Sequence, residues 1–239
     1  MTVLRRSGAR RHERRGGLDT WFTFDPKSEE TRQFAGGSGM LEGFSEDRLS
    51  AQSGAWRREP RGAEIISYLQ DGVVAYEDSE GRSGVLQAGE FEHMAVVRGL
   101  RQRDANASQV HPARLFRVRL RPCVVGLTIG RERKRFSMAE RRGILRVVAS
   151  PDGRAGSLKV RQDAVVYSAL LEPGHHVVHE LMPGRIAWVH IVDGQGTFGD
   201  LVLTAGDGFG VTDERAATFT AQESAELLVV DLEDQSPPT

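Results

Sequence analysis

The chain has 239 residues, of which 39% are hydrophobic and 27% charged, and a formal net charge of −1. That length can bury one large β core or two small ones, and a charge this close to neutral gives no global field to attract nucleic acid or an acidic membrane. Cys123 is the lone cysteine, which excludes a disulfide framework and a cysteine-rich zinc site.

The chain opens MTVLRRSGARRHERR. Paired arginines stand there with no apolar stretch behind them, so the segment reads as a solvated face and not as a signal peptide. No apolar run approaches the roughly 18–20 residues of a membrane span. The expectation is a cytoplasmic protein with neither a membrane nor a nucleic-acid partner.

Short β-rich runs separated by turn signals follow, the pattern of a sandwich or barrel. Residues 65–69 form one run, closed by Asp71-Gly72 and followed by 73–76, a Glu80-Gly81 turn, 84–87 and 91–97. Residues 115–120 read LFRVRL, an alternation of apolar and basic residues that predicts a strand with one wet face. Residues 121–142 lack alternation and contain RERKRFSMAERR, which predicts a linker with one helical turn around 137–141. Strands resume at 144–148, 165–171, 186–192 and 226–232, and the tail DQSPPT should fray.

The two halves repeat. SYLQDG (67–72) and VLQAGEF (85–91) are matched by VHIVDG (189–194) and LVLTAGDGF (201–209). The glycines suit tight turns between twisted strands, where a positive φ is needed. The repeat predicts an all-β chain of two similar barrels in tandem: 1–120, a linker at 121–142, and 143–239.

Four stretches carry a resemblance: LDTWFTF (18–24), AGEFEHM (88–94), RGLR (98–101) and SPDGRAGSLKVRQDAVVY (150–167). In this order they resemble the pirin family of bicupins, which implies two tandem cupin barrels, that is, double-stranded β-helices. The resemblance also implies a single transition metal in the first barrel, held by three histidines and a glutamate, and bacterial members that include quercetin dioxygenases. Carried over residue by residue, the family's His-Pro-His falls on Arg58, Glu59 and Pro60, and its His-x-Glu on Gln102, Arg103 and Asp104. All three histidines are replaced, and one carboxylate does not hold a transition metal without imidazole or thiolate company. A slip of one residue brings Arg57 and Glu59, or Glu59 and Arg61, inward instead. No cofactor is therefore expected.

Residues two apart on a strand share a face, so Arg58 takes an inward position, and a buried guanidinium needs a partner. Two readings stand open. An Arg58–Asp104 contact replaces the metal as the barrel's cross-link, or the segment 55–61 leaves the barrel with its arginines solvated, which suits Pro60. In the second half, His175, His176, His179 and His190 leave a second-barrel metal site open, although no His-x-His spacing supports one and a surface loop is the plainer reading. His93 and Glu92, as strand neighbours, point to opposite faces, so His93 reads as a satisfied histidine. Tyr68 and Tyr76 read as core aromatics, Cys123 has no neighbouring base, and AGDGFG (205–210) reads as a β-turn.

The leading functional expectation is a metal-independent bicupin that holds a small organic ligand in the first-barrel cavity and catalyses an isomerisation or cyclisation of specialised metabolism. Arg58 pins an oxygen of that ligand, and Asp104 or Glu64 handles a proton. Dioxygenase activity is not expected on this reading. The alternatives are a non-catalytic regulator with a protein partner, and a quercetinase-type dioxygenase with unusual ligands.

Overall fold

The structure, a computed structural model, describes residues 2–25, 41–120, 130–212 and 214–234. The described chain divides into two compact β units, one built on residues 11–25, 41–120 and 130–135 and the other on 2–10, 136–212 and 214–234. The first strand, β1 (Thr2–Arg5), belongs to the second unit.

The first unit contains β2 (Arg11–Arg15), β3 (Leu18–Phe24), β4 (Leu41–Leu49), β5 (Gly54–Glu59), β6 (Glu64–Asp71), β7 (Val73–Asp78), β8 (Ser83–Gln87), β9 (Glu90–Ala95), β10 (Leu100–Asn106), β11 (Ala113–Leu120) and β12 (Gly130–Arg135). They form a seven-stranded sheet, β12-β9-β6-β11-β4-β3-β2, and a four-stranded sheet, β5-β10-β7-β8. Strands β2 and β5 are therefore sheet edges. Pro60 ends β5, consistent with a residue that cannot donate to a ladder.

Among the described residues, Leu18, Leu49, Leu69, Val74, Leu86, Ala113 and Leu115 form one apolar cluster of this barrel, and Ala63, Ile65, Met94, Val96 and Leu100 another. Between them the inward positions are polar. Arg117 faces Ser67 on β6 and Ser45 on β4, two residues along from the Leu115 register. The alternation expected of LFRVRL is present, but its basic face is the inner one, since Arg117 is only 6% exposed. Charge inside a barrel reverses the usual wet-face reading, and it holds only because acids on other strands answer it.

The second unit continues with α1 (Met138–Arg141), β13 (Arg146–Ser150), β14 (Leu158–Lys159), β15 (Ala164–Leu171), β16 (His176–Glu180), β17 (Arg185–Asp193), β18 (Gln195–Phe198), β19 (Leu201–Thr204), β20 (Gly208–Val211), β21 (Ala216–Ala221) and β22 (Ala225–Glu233). Its sheets are β1-β20-β17-β22-β15-β13-β14 and β16-β21-β18-β19. Trp188 is fully buried here, and a Cβ on Gly208 would lie 2.4 Å from its ring, so the glycine makes room for the indole.

The repeat read from sequence is a repeat of structure. β6 pairs with β9 and β7 with β8, as β17 pairs with β20 and β18 with β19. The glycines at the matching turns all have positive φ: Gly72 at 87°, Gly89 at 83°, Gly194 at 78° and Gly206 at 88°.

Of the expected linker, residues 121–129, and with them Cys123, lie outside the described residues, as do 235–239 of the tail. Residues 130–135 form β12 on β9. The helical turn is α1, held by a capping box in which the Ser137 side chain accepts from the Glu140 amide and the Glu140 carboxylate from the Ser137 amide. The N-terminal segment does more than present charge to water, because β1 pairs with β20 and Asp207 accepts from Arg6 at 3.0 Å and from the Ser7 amide at 2.7 Å. That carboxylate also accepts from the Thr204 amide at 3.0 Å, so AGDGFG is a turn entering a strand. No helix among the described residues is long and apolar enough to cross a membrane.

Candidate functional site: an arginine–carboxylate centre in the first barrel

Strands β5 and β10 pair antiparallel, with Arg57 opposite Gln102, Arg58 opposite Arg101 and Ala55 opposite Asp104. Burial alternates along β10, with Leu100, Gln102, Asp104 and Asn106 inside. On β5 the inward charged residues are Arg57 and Glu59, and Arg58 is exposed. The expected Arg58–Asp104 cross-link is corrected by one residue. Arg57 makes the contact, with Nε 2.9 Å from Asp104 Oδ2, and the segment stays in the sheet. A one-residue shift of register exchanges every side chain between the two faces.

Asp104 is the centre of a wider network. It accepts from Arg117 Nη2 at 2.7 Å and from Gln102 Nε2 at 2.7 Å. Asp47 on β4, fully buried, accepts from Arg57 Nη2 at 3.1 Å, from Thr20 Oγ1 at 2.5 Å, and from Arg117. Arg119 donates to Glu59. Arg131 on β12 donates to Glu92 at 2.7 Å and to Gln102, and its guanidinium lies 4.1 Å from the centroid of the Tyr76 ring. Arginines from β5, β11 and β12 thus meet acids from β4, β5, β9 and β10.

The electrostatics agree with the geometry. Burial pushes the Asp104 carboxyl up, but Arg117, Arg57 and Gln102 outweigh it and hold the group below the usual carboxylate range. Burial pulls the Arg57 guanidinium down, and Asp47, Asp104 and Glu59 more than reverse it. For Glu92 burial wins over Arg131, and its carboxyl is raised.

Glu64 does not join this centre. Its neighbour Ile65 lines the cavity, so Glu64 points to the other face of β6, where it is fully buried with its Oε1 2.8 Å from His93 Nε2. His93 is the satisfied histidine expected, and Glu92 takes the inner face. Of the three residues expected to act on a ligand, only Asp104 is at the centre, and both of its carboxylate oxygens are already engaged by Arg117 and Gln102.

A cavity of about 570 Å³ opens between the two edge strands, within the usual span for a small-molecule site. Phe22, Phe24, Phe44, Trp56 and Ile65 supply its apolar walls, and Thr20 and Ser45 supply hydroxyls. Arg57, Arg117 and Arg119 lie in its wall and Arg58 and Arg101 at its exposed margin. Sequence reading missed Asp47, Arg117, Glu92 and Arg131. The one signal was the LFRVRL alternation, whose inner face only the acids of other strands reveal.

A transition metal does not fit the donors that the described residues place here. The inward positions of β5 and β10 offer arginine, glutamate, glutamine and aspartate, and the carboxylates are taken by guanidinium groups. Among the described residues no group of three or more histidine, cysteine, aspartate and glutamate side chains is arranged to hold a metal. The second-barrel histidines do not converge either. His175 and His176 are exposed, His190 is fully buried on β17, and His179 Nε2 lies 2.9 Å from Asp231, which also accepts from Arg185 at 2.5 Å.

Comparison with known proteins fixes the family. Residues 6–119 match the pirin family model and residues 147–232 match the quercetinase C-terminal cupin domain. The quercetin 2,3-dioxygenase of Escherichia coli is 32% identical over 232 residues, covering 97% of this chain and 99% of that protein. The crystal structure of YhhW from Escherichia coli superposes with a TM-score of 0.85 at 30% identity, over 100% of this chain and 99% of that one. A structure of the bacterial pirin YhhW in complex with nickel(II) gives 0.84, also at 30% identity, over 98% and 99%. These relatives overturn the leading expectation of a metal-independent isomerase or cyclase and the expectation against a dioxygenase, because the closely similar full-length relative named for its activity is named a dioxygenase. With its two cupin barrels and both family models matched in order, the chain belongs to the pirin family of bicupins.

Proposed function

We propose that the protein is a quercetinase-type cupin whose first-barrel cavity takes a flavonol-like polyphenol, with dioxygenation of that ligand as the reaction. The observation that carries the reading is full-length similarity to a protein named quercetin 2,3-dioxygenase, and the cavity supports it. A planar, oxygen-rich aromatic suits walls of Phe22, Phe24, Phe44 and Trp56 with arginines and hydroxyls between them. Ring oxygens accept from guanidinium donors, and phenolate forms gain most, since hydrogen bonds to charged groups are about twice as strong as neutral ones. Among the described residues the donor set does not match a metal.

A second reading, a binding protein for the same ligand class, is favoured by Arg57 and Arg117, whose guanidinium groups engage the Asp104 carboxylate. One experiment separates the two. Quercetin is incubated aerobically with the purified protein, with and without chelator and added nickel, while flavonol absorbance and dissolved oxygen are followed together. The proposal expects flavonol loss matched by oxygen uptake and dependent on intact protein. Binding without oxygen uptake supports the second reading, and no binding at all overturns both.

A further inference from the structure

Most arginines around the cavity are answered by acids. Arg57 and Arg117 meet Asp47 and Asp104, and Arg119 meets Glu59. On β2, Arg11 pairs with Glu13 and Asp25, and Arg15 with Glu13. Arg58 and Arg101 are different. They line the cavity margin, both are exposed, and neither has a carboxylate partner among the described residues. They are also directly opposite each other across the β5–β10 ladder, an arrangement that is destabilising for like charges.

Beside them stands Trp56, 51% exposed, with the Arg101 guanidinium 5.1 Å from its ring centroid. A large aromatic left in water next to two unanswered cations is a paired signal, one part apolar and one part anionic. We infer that Arg58, Arg101 and Trp56 form an anion subsite at the cavity mouth, selecting aromatic ligands that carry a carboxylate or phenolate oxygen. Two guanidinium groups clamp the oxygen, the indole covers the ring next to it, and the ligand's remaining ring enters the apolar part of the cavity. The inference rests on the cavity taking an aromatic ligand and adds the charge that the ligand must bear.

The test uses two probes of the same shape, 2-naphthoate and 2-naphthamide, titrated calorimetrically into the full chain at low and moderate salt. The expected result is naphthoate binding about tenfold tighter than naphthamide, with the preference shrinking as salt rises. In the double variant Arg58→Gln with Arg101→Gln the two probes should bind equally, and in Arg58→Lys with Arg101→Lys most of the preference should return. Thermal melts check that each variant folds; both positions are exposed, so little change is expected. Equal binding to the unsubstituted protein, or a preference kept by the glutamine variant, overturns the anion subsite and leaves the cavity reading standing. If neither probe binds, the cavity reading and the subsite fall together.

Discussion

Replacing Asp104 with alanine tests whether the charged centre holds the first barrel together. Asp104 is 2% exposed and meets Arg117 at 2.7 Å, Arg57 at 2.9 Å and Gln102 at 2.7 Å. Its removal leaves the buried guanidinium of Arg117 and the half-buried one of Arg57 sharing the carboxylate of Asp47. Breaking a buried pair from one side costs about 3–5 kcal/mol, because the desolvation of the remaining charge is no longer offset. For a chain of this size that corresponds to a fall in Tm of roughly 6–20 °C. Scanning calorimetry and urea unfolding measure it. A cycle with Arg117→Met and Asp104→Leu gives the coupling, and the double variant should be less destabilised than the sum of the singles, since removing both charges leaves less unpaired. A cost below about 1 kcal/mol for Asp104→Ala, or strict additivity, would falsify the account of the centre as a mutually dependent network.

Further outcomes follow from the same geometry. The Asp104 carboxyl is held below its ordinary value of 3.8, so its contribution is fully present above about pH 4 and is lost as pH falls through the lower folded value; acid unfolding of Asp104→Asn should be shallower in that window than that of the unsubstituted chain. Gly194→Ala should destabilise the second unit, since φ there is +78° and the new Cβ would lie 1.9 Å from the Ser224 carbonyl oxygen; a loss of at least about 1–3 kcal/mol in urea unfolding is expected, and an unchanged midpoint would count against the turn geometry. Glu140→Ala should leave the protein folded, with a thermal melt close to that of the unsubstituted chain, because the capping box it completes lies at the exposed start of a four-residue helix whose buried anchor is Arg141. Phe22→Ala, in the cavity wall, should weaken quercetin binding by tenfold or more without a matching loss of Tm.

Much of the fold was legible because it is written in short-range terms. Turn glycines and alternating apolar residues at 67–72, 85–91, 189–194 and 201–209 specify hairpins locally, and the structure repeats them pair for pair. The segment 11–15 was hidden because an edge strand of arginine, histidine and glutamate has no apolar face to betray it. At the site, sequence located the right strands and then erred by one residue. Arg57 and Arg58 are identical in type, and only the ladder to Gln102 and Arg101 decides which points inward. Arg117 and Asp47 are 70 positions apart; each alone looks like a surface charge, and only pairing explains why either is buried.

The most direct measurement is an anaerobic titration of quercetin into the purified chain, followed by flavonol absorbance and by tryptophan emission, alongside Phe22→Ala and Trp56→Ala. The account predicts saturable binding of one flavonol per chain, quenching that is reduced in Trp56→Ala, and markedly weaker binding in Phe22→Ala. No saturable binding, or binding to which neither side chain matters, would contradict the placement of a polyphenol in the first-barrel cavity.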